Sequence, residues 1–330
     1  MSQEKNRLLM VFSIFAVILL VAGCDAGKSK APITDADIRT GAEGLKTEFV
    51  KNAPPENVFA EIGFPISLKL KNAGAFDIPE DDKGTPQIEG GIVVFGFEKA
   101  YMDIPEGKVL FGVKGKSIYA PLGDEEFITV NAYAGQISGQ SEKYPTTIFA
   151  TACYPYETVF GASACIDTDI IGESKGKVCT AKDLTFINGQ GAPVAVTKVE
   201  TRMLPQDDGK IKPHFLIYVK NAGNGEVIEP SKINNACTSS ALDYTDFNTL
   251  IVNAALSGVP LRCSEDAGAA PGPATIRLRE KEDMIRCTYD EKGGIDAGLD
   301  AYIAPLKVEL DYGYTFTISK NIIIEKILMH

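Results

Sequence analysis

The stretch Leu68-Lys69-Leu70-Lys71-Asn72-Ala73-Gly74 and its echo Ile217-Tyr218-Val219-Lys220-Asn221-Ala222-Gly223 decide the fold of this chain. In each stretch apolar residues occupy every second position, and an Asn-Ala-Gly turn follows. Such alternation is typical of a strand with one buried face in an antiparallel sheet. Because the same turn follows at the same strand phase, the sequence indicates one structural unit that occurs twice.

Further strands are predicted on both sides of these two stretches. The pattern alternates again over 127–132 and 276–279, and 91–97 is a continuous apolar run that suits a central strand. Short strands with frequent turn residues between them predict an all-β fold of two tandem immunoglobulin-like antiparallel β-sandwiches. The predicted organisation is a signal peptide at 1–23, a tether at 24–44, a first sandwich at 45–168, a linker at 169–179 and a second sandwich at 180–330.

The N-terminal segment predicts export and a lipid anchor. Lys5 and Arg7 precede an apolar run from Leu8 to Val21, and Ala22-Gly23-Cys24 follows. This is the layout of a secretory signal with a small-residue cleavage site, and Cys24 is the expected lipidation site. The alternative is an uncleaved membrane anchor, but the run falls short of the roughly 20 apolar residues that a bilayer core needs. We therefore expect a cell-envelope, extracytoplasmic protein whose partner is the membrane, reached through the N-terminal lipid.

Cysteine usage favours disulfides over metal binding. With Cys24 set aside, six cysteines remain, an even number in a chain expected in an oxidising compartment. A zinc site is disfavoured, because no two cysteines have the C-x2-4-C spacing. Six cysteines allow fifteen connectivities, which sequence alone does not decide. The expected pairs are Cys263–Cys287, whose strand phases point both thiols inward, Cys165–Cys179, which bracket a polar loop, and Cys153–Cys237, which remain by elimination.

Composition argues against several function classes. The formal net charge of -11 would repel phosphate backbones, so we expect no nucleic-acid partner. Trp is absent and His occurs twice. The internal His214 is expected on the exposed face of its strand, opposite Phe215 and Ile217. We expect no catalytic residues, no cofactor and no metal site. Acidic clusters such as Asp167-Thr168-Asp169 are interpreted as solvated turns, with Ca²⁺ binding left open.

The aromatic stretch Tyr154-Pro155-Tyr156, with Phe160 nearby, is the candidate binding patch. The alternative is a bulged edge strand whose rings cover the junction between the two sandwiches, and we favour that alternative because the stretch lies close to the predicted linker.

A strand that ends in Leu/Val-x-Asn-x-Gly, as in Leu70 to Gly74, resembles the second strand of CARDB-type immunoglobulin-like modules of prokaryotic surface proteins. The stretches Arg39 to Leu45, Ala152 to Tyr156 and Gly189 to Val196 are similar to an uncharacterised group of archaeal secreted proteins. This resemblance covers most of the mature chain and implies fold and location, with no activity attached.

The expected function is that of a non-catalytic, lipid-anchored surface protein in adhesion, envelope architecture or ligand display, whose partners are other envelope proteins or surface polymers. One alternative is a substrate-capturing lipoprotein of a transport system, although such receptors alternate strands with long helices. A carboxylate-dependent surface hydrolase is a weaker alternative, because its two carboxylates can be far apart in sequence.

Overall fold

β-strands carry most of the regular structure in the computed structural model, which describes residues 34–80, 90–169, 176–238, 241–264, 271–298 and 300–327. The strands are β1 Leu45–Phe49, β2 Asn57–Phe59, β3 Gly63–Asn72, β4 Gly91–Gly96, β5 Met102–Asp103, β6 Lys108–Phe111, β7 Glu125–Ala134, β8 Lys143–Ile166, β9 Leu184–Thr185, β10 Val194–Pro205, β11 Lys210–Asn221, β12 Glu226–Ile228, β13 Thr249–Leu256, β14 Val259–Pro260, β15 Arg262–Cys263, β16 Ala274–Arg277, β17 Glu282–Thr288, β18 Ile295–Asp296 and β19 Tyr302–Glu325. Two four-residue helices, α1 Asp35–Ile38 and α2 Ile233–Ala236, and three 3₁₀ turns, Pro230–Lys232, Tyr244–Asp246 and Glu291–Gly293, complete the described elements. The predicted all-β fold is confirmed.

The two stretches quoted first form β3 and β11, and burial follows their sequence alternation. Ile66, Leu68 and Leu70 are fully buried, as are Ile217 and Val219 on β11. The lysines that alternate with the β3 leucines lie on the opposite face, where Lys69 and Lys71 form ion pairs with Glu125 of β7. Alternation therefore fixes which face of each strand enters the core.

A nine-stranded sheet spans the chain and is built around β8 and β19. These strands have 24 residues each and pair antiparallel along their whole length. β13 and β14 continue the sheet beyond β19, and β4 and β6 continue it beyond β8. β16 pairs with β13, while the short strands β12 and β2 pair with β19. Pairing along two such long strands ties residues before 169 to residues after 300 in one ladder.

Two smaller sheets pack against this large sheet. One has the order β1-β3-β7-β5, and the other has the order β15-β17-β11-β10-β9 with β18 paired to β11. Residues of all three sheets contribute to one hydrophobic core. The sequence analysis expects two sandwiches joined by a linker at 169–179, whereas the structure shares one large sheet between both halves. The reason is that β19 crosses from one half to the other. The number of immunoglobulin-like units stays a prediction.

The Asn-Ala-Gly turns after β3 and β11 have the same hydrogen bonds. Asn72 Oδ1 accepts from Gly74 N at 3.1 Å, and Asn221 Oδ1 accepts from Gly223 N at 3.1 Å. The amide nitrogens donate to backbone carbonyls, that of Asn72 to Phe76 O and Val113 O and that of Asn221 to Gly225 O. Each side chain thus holds its loop to the end of its strand.

Three disulfides join the pairs that the sequence analysis expects. Cys263 and Cys287 lie directly opposite each other on β15 and β17, with a Cα–Cα distance of 4.0 Å. Cys165 and Cys179 close the segment after β8 at 5.9 Å, and Cys153 of β8 meets Cys237 after α2 at 6.0 Å. The Cys153–Cys237 disulfide joins the first half of the chain to the second. Disulfides of this kind indicate folding in an oxidising, extracytoplasmic environment.

The predicted signal peptide at 1–23 and the lipidation site Cys24 lie outside the described residues. Among those that are described, no helix has the length and apolar character to cross a bilayer.

Candidate functional site

Tyr154, Tyr156 and Phe160 lie in the core, so they do not form the exposed patch that the sequence analysis considered. Each is at most 3% exposed. The alternative of an edge strand fits the pairing, because β4 pairs only with 149–153 of β8 and no described strand pairs with 154–166 on that side. The expected bulge is absent, since the ladder with β19 has no register shift. Pairing of β8 with β4 ends at Cys153, two residues before Pro155. Pro155 therefore needs no N–H donor on that side of the strand, and a proline is tolerated there.

Four tyrosines form a layer where β8 and β19 cross the middle of the molecule. In the ladder Tyr154 lies opposite Tyr314 and Tyr156 lies opposite Tyr312. Ring centroids of neighbours are 5.7 to 6.3 Å apart, in tilted or edge-on arrangements. Such contacts between large, buried rings stabilise the junction of the two halves.

The tyrosine hydroxyls form hydrogen bonds with equivalent backbone and asparagine side-chain groups in the two halves. Leu45 N, at the start of β1, donates to the Tyr154 hydroxyl at 3.3 Å, and Val194 N, at the start of β10, donates to the Tyr312 hydroxyl at 3.3 Å. The Tyr156 hydroxyl donates to Asn72 Oδ1, and the Tyr314 hydroxyl donates to Asn221 Oδ1. The halves are therefore related by an approximate two-fold rotation that exchanges β8 with β19.

Burial keeps these hydroxyls protonated. It raises the pKa of Tyr314 to about 12 and raises those of the other three tyrosines further above the ordinary value. A neutral hydroxyl can donate and accept at once, as that of Tyr314 does when it donates to Asn221 Oδ1 and accepts from Gly225 N. The tyrosine layer is thus a structural junction.

An open groove lies beside this layer, between β1 and the stretch 316–318 of β19. Its volume is about 900 Å³. Leu45, Thr47, Lys69, Phe316 and Ile318 are among the residues that line it. Phe316 and Ile318 are only partly buried, although they pack against the core. The groove therefore offers an apolar floor that remains accessible from the side.

Both walls of the open groove are strand edges. β1 is the outer strand of its sheet. On the edge of β19 that carries β12 and β2, pairing covers 313–315 and 323–325, and no described strand pairs with 316–322. A free strand edge presents backbone donors and acceptors at regular spacing.

In the other half the equivalent groove is filled by the chain itself. There, β9 pairs with β10, and Phe186 packs edge-on against Phe160 with ring centroids 4.6 Å apart. Phe160 follows Tyr156 by four residues, as Ile318 follows Tyr314, so Ile318 is its counterpart in the open groove. Phe160 is 3% exposed. The segment from Leu184 to Gln190 thus covers one groove, and the equivalent groove beside β1 lacks such a cover among the described residues.

His214 does not assemble a catalytic set in the part of the chain that the structure describes. It is half-buried on the face of β11 opposite Phe215 and Ile217, where the sequence analysis expects an exposed side chain. Its Nδ1 lies 3.4 Å from Thr288 Oγ1. Burial, with Arg286 and Arg262 nearby, lowers the pKa of His214. This favours the neutral imidazole.

Acidic residues of the described part of the chain were the other candidates for a site. Asp167 and Asp169 both form ion pairs with Lys177, at 2.9 and 3.2 Å. The ammonium group of Lys177 thus neutralises charge where a cation would otherwise be needed. Within the described ranges no group of three His, Cys, Asp or Glu side chains is arranged to hold a metal ion. Glu157 and Asp311 lie opposite each other on β8 and β19, and burial raises the pKa of each.

Comparisons with known proteins add no family. No family model and no curated protein matches the sequence. Among solved structures, the secreted serine protease VesC from Vibrio cholerae is similar at 9% identity, with 82% of this chain and 50% of that chain covered and a TM-score of 0.19. The chain thus spans half the length of that protein, and a likeness this weak carries no argument about fold or activity.

The open groove is not among the sites predicted from the sequence. Its apolar floor comes from β19, and its wall comes from β1 more than 250 residues earlier. A local signal does exist in Leu45-Lys46-Thr47-Glu48-Phe49, where charged residues alternate along a short strand, as is common on sheet edges.

Proposed function

We propose that this chain is a non-catalytic, lipid-anchored protein of the cell envelope that binds a partner in the open groove between β1 and β19. The observation that carries the proposal is the pair of equivalent grooves, one covered by the chain and one open. A partly exposed apolar floor beside unpaired backbone groups of a strand edge is typical of surfaces that bind other chains. The partner class is another envelope protein or a surface polymer.

Two features support the location in the envelope. Three disulfides agree with an oxidising compartment. The sequence Ala22-Gly23-Cys24 after an apolar run supports lipidation of Cys24. Attachment through one acylated residue would leave the β-structure outside the bilayer, with its groove accessible.

The location is tested by Cys24→Ser, with Ser29→Ala as the control in the same stretch. We expect the Cys24→Ser protein to be exported and released from membranes, while the control remains attached. Cell fractionation and intact-mass measurement give the readout. A Cys24→Ser protein that stays in the membrane fraction and retains residues 1–23 would show that the segment is an uncleaved anchor.

A further inference from the structure

We propose that the open groove binds an extended segment of another protein chain, which adds as a strand to the free edge of β1. The bound segment carries an aromatic residue for the apolar floor and a side-chain amide four positions later. This inference rests on the proposed binding role of the groove and names its ligand class. The equivalent groove, which the chain itself fills, shows the features that such a ligand needs.

In the filled groove the segment from Leu184 to Gln190 forms hydrogen bonds with backbone groups of β10 in two ways. Phe186 N donates to Thr197 O at 2.8 Å. The side-chain amide of Gln190 then accepts from Val196 N at 2.8 Å and donates to Val196 O at 3.1 Å. A buried glutamine side chain thus mimics a paired strand at that position. Gln190 is 7% exposed.

The counterpart of Val196 in the open groove is Thr47. Val196 lies two residues after Val194, whose N–H binds a tyrosine hydroxyl, and Thr47 lies two residues after Leu45, whose N–H does the same. Ala73 N donates to Gly44 O, and Val50 N donates to Ser67 O. Because backbone groups alternate sides along an antiparallel strand, the N–H and C=O of Thr47 and Phe49 point to the free edge of β1. They face the groove as those of Val196 face Gln190.

A second observation at the same place points to a missing partner. The Oγ1 atom of Thr47 is buried and makes no hydrogen bond within the described part of the chain. Buried polar atoms are paired in most native proteins, and an unpaired one is destabilising.

The floor of the groove specifies the apolar part of the ligand. Ile318 stands where Phe160 contacts Phe186 in the filled groove. Phe316, two residues earlier on the same face, widens the apolar surface and lines the groove as well. The lysines at the rim are already paired, Lys46 with Glu43 and Lys69 with Glu125. Recognition therefore depends on backbone pairing and an aromatic anchor more than on net charge.

The chain itself supplies the probe, which is an acetylated peptide with the sequence of Asp183 to Gly191. We expect saturable binding to the lipid-free protein by fluorescence anisotropy, with shifts of the Thr47 and Phe49 amide signals in NMR. Phe186→Ala or Gln190→Ala in the peptide should each weaken binding, by about tenfold for the aromatic anchor.

Two protein variants separate the open groove from other sites. Thr47→Pro removes the free donor of β1 without removing a bond to β3, and Ile318→Asp places a charge on the floor. Each should weaken peptide binding at least about tenfold. Ile303→Asp is the matched control, because Ile303 lies on the same strand and is 58% exposed, outside the groove. It should bind as the unmodified protein does.

The outcomes are distinct. No saturable binding, or binding that survives both Thr47→Pro and Ile318→Asp, overturns the strand-addition proposal. If the protein instead forms dimers that the peptide dissociates, the occupant is a second copy and the proposed external partner is wrong. Membrane release of the Cys24→Ser protein is measured separately, so a failed anchor and a failed ligand class give different results.

Discussion

The hydroxyl of Tyr156 donates a hydrogen bond of 3.2 Å to Oδ1 of Asn72, and both side chains are buried. The same oxygen accepts from Gly74 N, while the amide nitrogen of Asn72 binds two backbone carbonyls. One asparagine thus joins the end of β3, its turn and the central strand β8. Loss of this side chain leaves several buried groups unpaired at once.

Asn72→Ala should lower the free energy of unfolding by about 3 kcal/mol or more, because each buried group left unpaired costs about 1–3 kcal/mol. Urea unfolding followed by circular dichroism measures the change. Asn131→Ala, at an exposed position of β7 in the same sheet, is the control and should change stability by less than about 0.5 kcal/mol. Equal effects of the two changes would contradict the assigned role of Asn72.

Gly74→Ala should destabilise the fold by about 3 kcal/mol, because the added Cβ would overlap the Tyr156 hydroxyl and lie 2.6 Å from Gly191 O. Gly161→Ala is the matched control on β8, where a Cβ meets no atom within 4 Å. There the change should be neutral or stabilising by up to about 1 kcal/mol. Thermal unfolding of both variants tests the contrast, and a tolerated Gly74→Ala would argue against the close tyrosine contact.

The disulfides should differ in their contribution to stability according to the loops that they close. The sequence separations are 84 for Cys153–Cys237, 24 for Cys263–Cys287 and 14 for Cys165–Cys179. In the chain-entropy model, removal of each pair by double alanine substitution costs about 4.5, 3.5 and 3 kcal/mol respectively. Guanidinium unfolding gives the order. A smaller loss for the 153–237 pair than for the 165–179 pair would show that residual structure outweighs loop entropy.

Glu157→Gln combined with Asp311→Asn should stabilise the protein at neutral pH, by up to about 1 kcal/mol after allowance for solvent screening. Burial raises the folded-state pKa of both carboxyls above their unfolded values. The wild-type protein therefore loses stability as the pH rises from about 4 through those raised values, and the variant does not. Near pH 3.5 the difference should vanish.

Unfolding free energies at pH 3.5, 5 and 7 test this pH dependence. Glu142→Gln, at an exposed position just before β8, is the control for the removal of one surface carboxylate and should change stability by less than about 0.5 kcal/mol. A stabilisation of the double variant that is equal at all three pH values would point to packing instead of charge.

Local patterns predicted much of this fold, because strand alternation and turn residues act over short stretches. Leu68 and Leu70 enter the core as their phase indicates, and Asn72 and Asn221 occupy equivalent turns. The disulfide Cys263–Cys287 follows the inward phase of both thiols, and its strands, β15 and β17, are neighbours in their sheet.

The shared sheet was not predictable in the same way. Nothing local in Lys143–Ile166 tells whether the strand continues past Pro155 or stops there, and a proline normally favours a stop. Only the partner β19, with Gly313 opposite Pro155, shows that the strand continues. The open groove depends on that long pairing as well, so the edge signal in Leu45 to Phe49 could not by itself locate the groove.

The pairing of β8 with β19 also sets an order of events during synthesis. β8 is made long before Tyr302, the first residue of its 24-residue partner, leaves the ribosome. Until then one edge of β8 has no ladder partner, so the growing polypeptide displays a long strand that invites association with other chains. A product truncated before Tyr302 should therefore accumulate as aggregates.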